Sequence, residues 1–264
     1  MIDRGTGTPI VLMPGIQGRW EWLAPAVDAL AERCRVITFS LCDEPSSGFA
    51  HDPALGIENY FAQLDQAFDR AGLQEAVLIG TSYTGPIAAE FAARRPDRVR
   101  GLVLVSALPP DWRPNARARF YLRAPRLLSP VFVIDSPTRM IPELRAALPG
   151  FGGVLRFATA QTARVVRALM SPSRMATRLR WTEAFHYSDV SQVAQPVLVI
   201  TGEDRLDRVV DPALTRRYLA AFPAARHVVL PKTGHIGMLT RPTEFAEIIR
   251  RFAEDVDDAR RISA

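Results

Sequence analysis

The chain has 264 residues with 48% hydrophobic content, a mean hydropathy of +0.01 and a formal net charge of +5. These values are typical of a soluble globular protein that forms one large domain, or a core with an inserted lobe, and no run of about 18 apolar residues predicts a transmembrane helix. The N-terminus lacks the apolar stretch of a signal peptide, so we expect a cytoplasmic protein without membrane insertion. Cys34 and Cys42 lie near opposite ends of one predicted strand, which indicates neither a disulfide nor a metal site.

The charge is unevenly distributed along the chain. Residues 111–181 contain thirteen arginines against Asp111, Asp135 and Glu143, a local net charge of +10, so the remainder carries −5. A basic segment can attract nucleic acid or an acidic partner. These arginines, however, are spread through helical patterns without interleaved aromatic platforms on which bases could stack, and without a recognised nucleic-acid motif. We therefore predict solvated helix faces and no nucleic-acid partner.

Short apolar runs alternate along the chain with helical patterns. Strands that alternate with helices of about 10–15 residues predict an α/β fold with a mostly parallel, doubly wound sheet of about six strands. The predicted strands lie within residues 8–15, 35–40, 76–79, 99–107, 196–202 and 227–230, and the predicted helices are residues 20–33, 57–71, 86–95, 212–222 and 242–256.

Residues 111–189 interrupt this alternation. Proline and glycine separate short helical patterns there, and strand alternation is not recognisable. We predict an α/β core of residues 1–110 and 190–264 and a helical cap, or lid, of residues 111–189. Such a lobe would lie above the sheet edge where open α/β sheets bind ligands, and its aromatic residues favour a small apolar ligand.

The segment from Ala76 to Arg95 has the pattern of a buried strand, a tight turn and an alanine-rich helix. Ser82 lies in the turn, two residues after Gly80. A serine on a sharp strand-to-helix turn is typical of a nucleophile elbow, in which the N–H of the next residue, Tyr83, can face an oxyanion. The alternative is that Ser82 merely caps the helix.

Two further turns follow predicted strands at the same carboxyl edge of the sheet. The glycine-rich turn Pro14-Gly-Ile-Gln-Gly18 can direct the Ile16 N–H to the point that Tyr83 faces. The loop Lys232-Thr-Gly-His-Ile-Gly237 follows the last predicted strand and carries His235, which would take the proton of the elbow serine.

An acid that orients this histidine would lie between the serine and the histidine in the sequence if the order is Ser, Asp, His. The loop of residues 202–212 contains Asp204, Asp207 and Asp211, and periodicity does not choose among them.

These motifs together resemble those of the α/β-hydrolase superfamily over essentially the whole chain. The family's H-G-x-x-G oxyanion turn corresponds to residues 14–18, its elbow to residues 80–84 and its terminal G-H to Gly234-His235. The phrase Arg241-Pro-Thr-Glu-Phe245 is similar to the opening of the family's last helix. The resemblance implies the fold more specifically than it implies a substrate.

The resemblance also ranks the candidate acids. The family's acid stands before an R-x-V-x-P phrase, and matching that phrase implies Asp207 as the acid, in a loop two residues longer than usual. Asp204 is the second candidate. Asp111 is the third, because a minority of the family takes its acid from the loop after the sixth strand. Asp211 is expected to cap the helix that begins at Pro212.

Three features depart from the family pattern. Pro14 replaces the usual histidine of the oxyanion turn, and Thr84 replaces the second glycine of the elbow, which we expect it to crowd. The chain also starts nearly at the third strand of the family's sheet, so the first two antiparallel strands are expected to be minimal or missing.

The resemblance implies a serine hydrolase that cleaves an ester or related acyl bond of a small molecule without a metal or organic cofactor. Ser82 would be the nucleophile, His235 the base and Asp207 its partner, with Ile16 and Tyr83 as oxyanion donors. A carbon–carbon bond hydrolase, a cofactor-free lyase or perhydrolase, and a ligand-binding protein without catalysis are the alternatives on the same fold.

Overall fold

The structure is a computed structural model that describes residues 1–263, except for the side chains of residues 129, 130, 132–134, 136, 260, 262 and 263. One sheet of seven strands, in the order β1-β3-β2-β4-β5-β6-β7, organises the chain. The strands are β1 Ile2–Arg4, β2 Pro9–Leu12, β3 Arg35–Thr38, β4 Ala76–Thr81, β5 Val99–Val105, β6 Val197–Thr201 and β7 Arg226–Val229.

All six predicted strands are present and pair in parallel, which confirms the mostly parallel α/β sheet. The seventh strand, β1, is a three-residue strand antiparallel to β3 at the edge of the sheet. Its sequence, Ile-Asp-Arg, is too short to show strand alternation, so the sequence pattern did not identify it.

Helices cover both faces of the sheet. The α-helices are α1 Ala24–Ala31, α2 Glu58–Arg70, α3 Gly85–Arg94, α4 Ala116–Arg123, α5 Ser129–Ala147, α6 Gly150–Arg167, α7 Pro172–Ala184, α8 Pro212–Arg216, α9 Tyr218–Ala221, α10 Gly237–Thr240 and α11 Pro242–Ser263. Single 3-10 turns lie at Trp20–Leu23, Pro53–Leu55, Ser82–Thr84 and Val190–Gln192.

Three predicted helices differ from the observed ones. The last, predicted over residues 242–256, extends to Ser263 as α11. The predicted helix of residues 20–33 begins as the 3-10 turn Trp20–Leu23, and Pro25 then lies in the first turn of α1, where its missing N–H is not needed. The predicted helix of residues 212–222 is divided into α8 and α9.

The core has one hydrophobic cluster on each face of the sheet. In β2, Val11 belongs to one cluster, whereas Ile10 and Leu12 belong to the other, as the alternation of a strand requires. All six residues of β4 are buried, so this central strand is covered on both sides.

Helices α4–α7 lie between β5 and β6, within the segment predicted to be the cap. They contact the 3-10 turn that precedes α1: Trp22 Nε1 donates to the Ala168 carbonyl at 2.9 Å, and Gln161 Nε2 donates to the Trp22 carbonyl at 3.2 Å. The prediction that the arginines of this segment lie on solvated faces is wrong for Arg178, which is 0% exposed. Its burial is possible because the carboxylates of Asp43 and Glu44 pair with its charge. Over residues 1–263, no helix is both long and apolar enough to cross a membrane.

Candidate active site

The turn after β4 holds Ser82 in a strained backbone conformation. Its φ is +51°, in the left-handed region that residues other than glycine rarely adopt. The turn is also tight, since a Cβ on Gly80 would lie 2.7 Å from the Ala88 Cβ and 2.8 Å from the Thr84 carbonyl oxygen. Ser82 is half-buried, and its place between a buried strand and α3 is that of a nucleophile elbow.

Thr84 fits into this turn without crowding it, contrary to our expectation. Its Oγ1 accepts the Thr81 N–H at 3.0 Å and donates to the Thr81 carbonyl at 3.1 Å, so the hydroxyl braces the turn. The close approach to the loop after β5 is made by Gly85, where an added Cβ would lie 2.3 Å from the Ala107 Cβ. The small residue required at this point of the elbow is therefore Gly85, one position after the place of the second glycine in the family motif.

The loop after β2 lies directly against the elbow. The Thr81 hydroxyl donates to the Met13 carbonyl at 2.9 Å, and a Cβ on Gly15 would lie 3.8 Å from the Ser82 Cβ. The peptide between Gly15 and Ile16 is therefore a neighbour of the serine.

His235 and Asp207 are joined by a hydrogen bond. The His235 Nδ1 lies 3.2 Å from the Asp207 Oδ2, while the Asp207 Oδ1 accepts the N–H groups of Val209 and Val210, each at 2.9 Å. The side chains of His235 and Asp207 are only 11% and 1% exposed. Because Nδ1 is engaged, Nε2 is the ring nitrogen left for proton transfer.

The protonation of this pair depends on its surroundings. Burial by itself opposes the charged form of His235, but the nearby carboxylates of Asp207 and Glu143 outweigh burial and hold the pKa of His235 above its usual value. Burial likewise opposes the Asp207 carboxylate, but His235 and the two backbone N–H donors hold its pKa below its usual value. The pair is therefore arranged as an ionised carboxylate beside an imidazole of increased basicity.

The other candidate acids lie elsewhere. Asp204 is 67% exposed and pairs with Arg216 at 2.6 Å, and Asp111 is 59% exposed and pairs with Arg217. Asp211 accepts the Ala213 N–H at 2.9 Å at the start of α8, which confirms the predicted helix cap. Of the aspartates considered from the sequence, the structure joins Asp207 to His235.

Ser82 and His235 both follow parallel strands, β4 and β7, at the same carboxyl edge of the sheet. Among the described residues, no hydrogen bond joins the Ser82 Oγ to His235. The structure thus brings Asp207 to His235 and the Ile16 loop to Ser82, as two pairs at this edge of the sheet. Catalytic hydrogen bonds of this kind are often long in ligand-free enzymes and tighten when substrate binds.

Sequence reasoning missed one carboxylate beside the histidine. Glu143, on α5, is 0% exposed, and its Oε2 accepts the Ile236 N–H at 3.1 Å. Its Oε1 accepts the Thr240 hydroxyl at 3.2 Å, and burial raises the pKa of this carboxyl. The available signal was that Glu143 is one of three acids in a segment with thirteen arginines.

Sequence reasoning also missed a buried guanidinium beside the oxyanion turn. Arg178, on α7, donates from Nη1 to the Ile16 carbonyl at 2.6 Å and forms ion pairs with Asp43 at 2.9 Å and Glu44 at 2.6 Å. The Arg178 carbonyl accepts the Tyr83 hydroxyl at 3.1 Å. No signal in the sequence distinguishes Arg178 from the twelve other arginines around it.

The chain is similar in sequence to known hydrolases over nearly its whole length. A 2-hydroxy-6-oxo-2,4-heptadienoate hydrolase of Pseudomonas putida is 24% identical over 96% of this chain and 92% of its own length. A poly(3-hydroxyalkanoate) depolymerase of Ectopseudomonas oleovorans is 27% identical over 94% of this chain and 84% of its own.

Among solved structures, a thermophilic esterase of Thermogutta terrifontis superposes with a TM-score of 0.75 at 23% identity, covering 97% of this chain and 92% of the esterase. At that identity the likeness shows the fold alone. The sequence model of the alpha/beta hydrolase family matches residues 10–248, which include the elbow, the turn of residues 14–18, the loops that carry Asp207 and His235, and the helical segment between β5 and β6. The chain is therefore a member of the alpha/beta hydrolase family of enzymes.

Proposed function

We propose that the protein is a serine hydrolase that cleaves an ester or related acyl bond of a small, largely apolar molecule. The observation that carries this proposal is the buried hydrogen bond between His235 and Asp207, at the same sheet edge as a serine held at positive φ. A histidine oriented by a carboxylate and a serine on an elbow are the parts from which this fold builds acyl-transfer sites.

In the proposed reaction, the Ser82 Oγ attacks the substrate carbonyl carbon while His235 Nε2 accepts the hydroxyl proton. Asp207 holds the imidazole in orientation and stabilises the imidazolium. His235 then donates the proton to the leaving group, and an acyl group remains on Ser82. Water, activated by the same histidine, adds to this acyl-enzyme and releases the acid and the free serine.

The negative charge of the tetrahedral intermediate needs hydrogen-bond donors. The N–H groups of Ile16 and Tyr83 are the proposed donors, and the position of the Gly15–Ile16 peptide beside Ser82 supports this assignment. Loss of one such donor in a comparable site costs about 10²–10³-fold in kcat. The proposed chemistry calls for no metal or organic cofactor.

The segment of residues 111–189 is proposed to cover this site as a cap. The contacts of Glu143 with the loop after His235 and of Arg178 with the Ile16 loop support the proposal, since both side chains come from that segment. A cap that shields the acyl-enzyme would favour small substrates over polymers.

Hydrolysis of a carbon–carbon bond is the second candidate. Similarity to the 2-hydroxy-6-oxo-2,4-heptadienoate hydrolase favours it, because the substrate in that name has a ketone and a carboxylate but no ester. The same serine and histidine could serve either reaction, and they could also serve a cofactor-free lyase or perhydrolase reaction.

The test is labelling of the folded protein with a fluorophosphonate probe, mass mapping of the adduct, and turnover of a panel of short esters and a 6-oxo-dienoate. We expect an adduct on Ser82, a burst of acyl-enzyme with esters, and loss of both in Ser82→Ala. Ser106→Ala is the matched control, because Ser106 also has a positive φ, +42°, directly after the neighbouring strand β5.

Each alternative has its own outcome in this test. Turnover of the dienoate with slow or absent ester turnover would favour the carbon–carbon hydrolase. A folded wild-type protein without label and without a burst would overturn the hydrolase proposal and favour a ligand-binding role.

A further inference from the structure

The guanidinium of Arg178 is bound on every side by protein acceptors. Asp43 accepts from Nε and Nη2 at 2.9 and 3.0 Å, Glu44 accepts from Nη2 at 2.6 Å, and the Ile16 carbonyl accepts from Nη1 at 2.6 Å. The side chains of Arg178, Asp43 and Glu44 are 0%, 4% and 0% exposed. A buried charge is tolerated when it is paired and its donors are satisfied, and the planar fork of arginine meets that condition here.

The hydrogen bond from Arg178 to the Ile16 carbonyl links this ion cluster to the proposed oxyanion turn. Ile16 lies in a turn that contains Gly15 and Gly18, and glycine leaves such a turn with wide conformational freedom. The Ile16 carbonyl and the Ile16 N–H belong to the two peptides on either side of one Cα, so fixing the carbonyl restricts the direction of the N–H.

Gly18 makes room for this arrangement. Its φ is +73°, and an added Cβ would lie 2.4 Å from both Arg178 Nη1 and Nη2. Its carbonyl accepts the Leu41 N–H at 2.9 Å, which ties the turn to the loop that carries Asp43 and Glu44. The guanidinium therefore occupies the space that any other residue at position 18 would fill.

The backbone of Arg178 contacts the second proposed oxyanion residue. Its carbonyl accepts the Tyr83 hydroxyl at 3.1 Å, and Tyr83 is 1% exposed. One residue of α7 is thus bonded both to Ile16, in the turn beside Ser82, and to Tyr83, which follows Ser82 in the elbow.

We propose that Arg178 is a positioning residue that holds the oxyanion turn in its catalytic conformation from the helical segment above it. This inference rests on the proposed serine hydrolase reaction. The guanidinium acts through the Ile16 peptide, because each of its three nitrogens donates to Asp43, Glu44 or Ile16. The oxyanion site is then complete only while α7 is docked against the sheet.

The experiment compares Arg178→Lys with Arg174→Lys. Arg174 is the matched control because it is also on α7 and pairs with Glu44 at 3.1 Å, but it has no hydrogen bond to Ile16 in the part of the chain that the structure describes. The readouts are kcat and KM with an ester of the panel, with kcat expressed per serine titrated by the fluorophosphonate so that unfolded protein is not counted.

A lysine keeps the charge but, as a compact ammonium, does not reproduce the fork that reaches two carboxylates and the Ile16 carbonyl together. We expect kcat of Arg178→Lys to fall about 10- to 100-fold, as a displaced oxyanion donor would cause, with KM changed less than about twofold. Arg174→Lys should retain wild-type kcat. A merely structural arginine would lower the titrated fraction and leave kcat per titrated serine unchanged, which would overturn the proposal.

If Arg178→Lys fails to fold, the triple variant Asp43→Asn, Glu44→Gln, Arg178→Met tests the same point, because removing all three charges leaves no unpaired buried ion. A folded triple variant with low kcat supports the proposal, and one with wild-type kcat overturns it. Failure of the proposed function looks different, since wild-type protein would then show neither the Ser82 adduct nor ester turnover.

Discussion

The sheet and the helical segment α4–α7 supply different kinds of residue to the candidate site. The sheet supplies the groups proposed to react, and Ser82, Asp207 and His235 each lie on a loop that follows the carboxyl end of a parallel strand. The helical segment supplies Glu143 and Arg178, two buried charged side chains that bind backbone groups of the reacting loops. One region supplies the groups proposed to react, and the other supplies side chains that bond to the loops carrying those groups.

This difference shows which parts of a site can be recognised in a sequence. A reacting group in this fold stands at a fixed place after a strand, so its position carries information. A supporting group can come from any helix that happens to pack above the loop. If the two regions differ in this way, a change to a group proposed to react should reduce turnover more than a change to a supporting group.

The largest effect is expected in the sheet region, from Asp207→Asn. The asparagine keeps the shape of the side chain but removes the charge that orients and stabilises the His235 imidazolium, so we expect kcat to fall by about 10³–10⁴-fold. The measurement is ester turnover beside the rate of fluorophosphonate labelling. Asp204→Asn is the control, since Asp204 is exposed and pairs with Arg216; a larger loss in Asp204→Asn than in Asp207→Asn would reverse the assignment of the acid.

A smaller effect is expected where the two regions meet, from Gly18→Ala. Its Cβ would displace the Arg178 guanidinium, so the oxyanion turn should shift and kcat should fall about 10-fold or more. Gly48→Ala is the matched control, because Gly48 has a similar φ of +68° but nothing within 4 Å of an added Cβ.

Both glycine variants suffer the same backbone penalty, about 1–2 kcal/mol for alanine in the left-handed region. Thermal unfolding measures that shared loss, and ester kinetics per titrated serine measure the difference between the variants. Equal kcat values in the two variants would show that the contact between Gly18 and Arg178 does not matter for turnover.

The fold was predictable where apolar runs were long enough to show a pattern. The six parallel strands follow from such runs, whereas β1, with three residues, has no pattern to recognise. Helix ends were less predictable because they depend on local geometry: the single pattern of residues 212–222 became α8 and α9.

Candidate site residues were predictable only where they stand directly after a predicted strand or in a family motif. Ser82 and His235 were proposed from their places after strands, and the choice of Asp207 needed the family phrase, because three aspartates share its loop. Arg178 was hidden because its burial depends on Asp43 and Glu44, more than 130 residues away in the chain. Thr84 was misjudged because its hydrogen bonds to Thr81 depend on a backbone conformation that no pattern states.

The smallest effect is expected from Glu143→Gln, in the helical segment. The neutral glutamine keeps an acceptor for the Ile236 N–H but removes a negative charge that helps Asp207 to raise the pKa of His235. His235 must be neutral to accept the serine proton, so kcat/KM rises as pH increases through that pKa. Removing the charge lowers the pKa of His235, and the acid limb of the pH profile should move to lower pH, while the maximal rate changes less than about threefold.

The profile of kcat/KM between pH 5 and 9 checks this expectation, a window chosen to bracket the usual pKa of histidine, about 6.5. Asp135→Asn is the control, since Asp135 is another acid of the same segment but pairs with Arg117 instead of facing His235. The charged and titratable groups that face Glu143 are His235 and Asp207, and neither is altered in the variant. An unmoved acid limb would mean that Glu143 acts on the His235 loop only through its hydrogen bonds to Ile236 and Thr240, and the helical segment would then support the histidine by geometry alone.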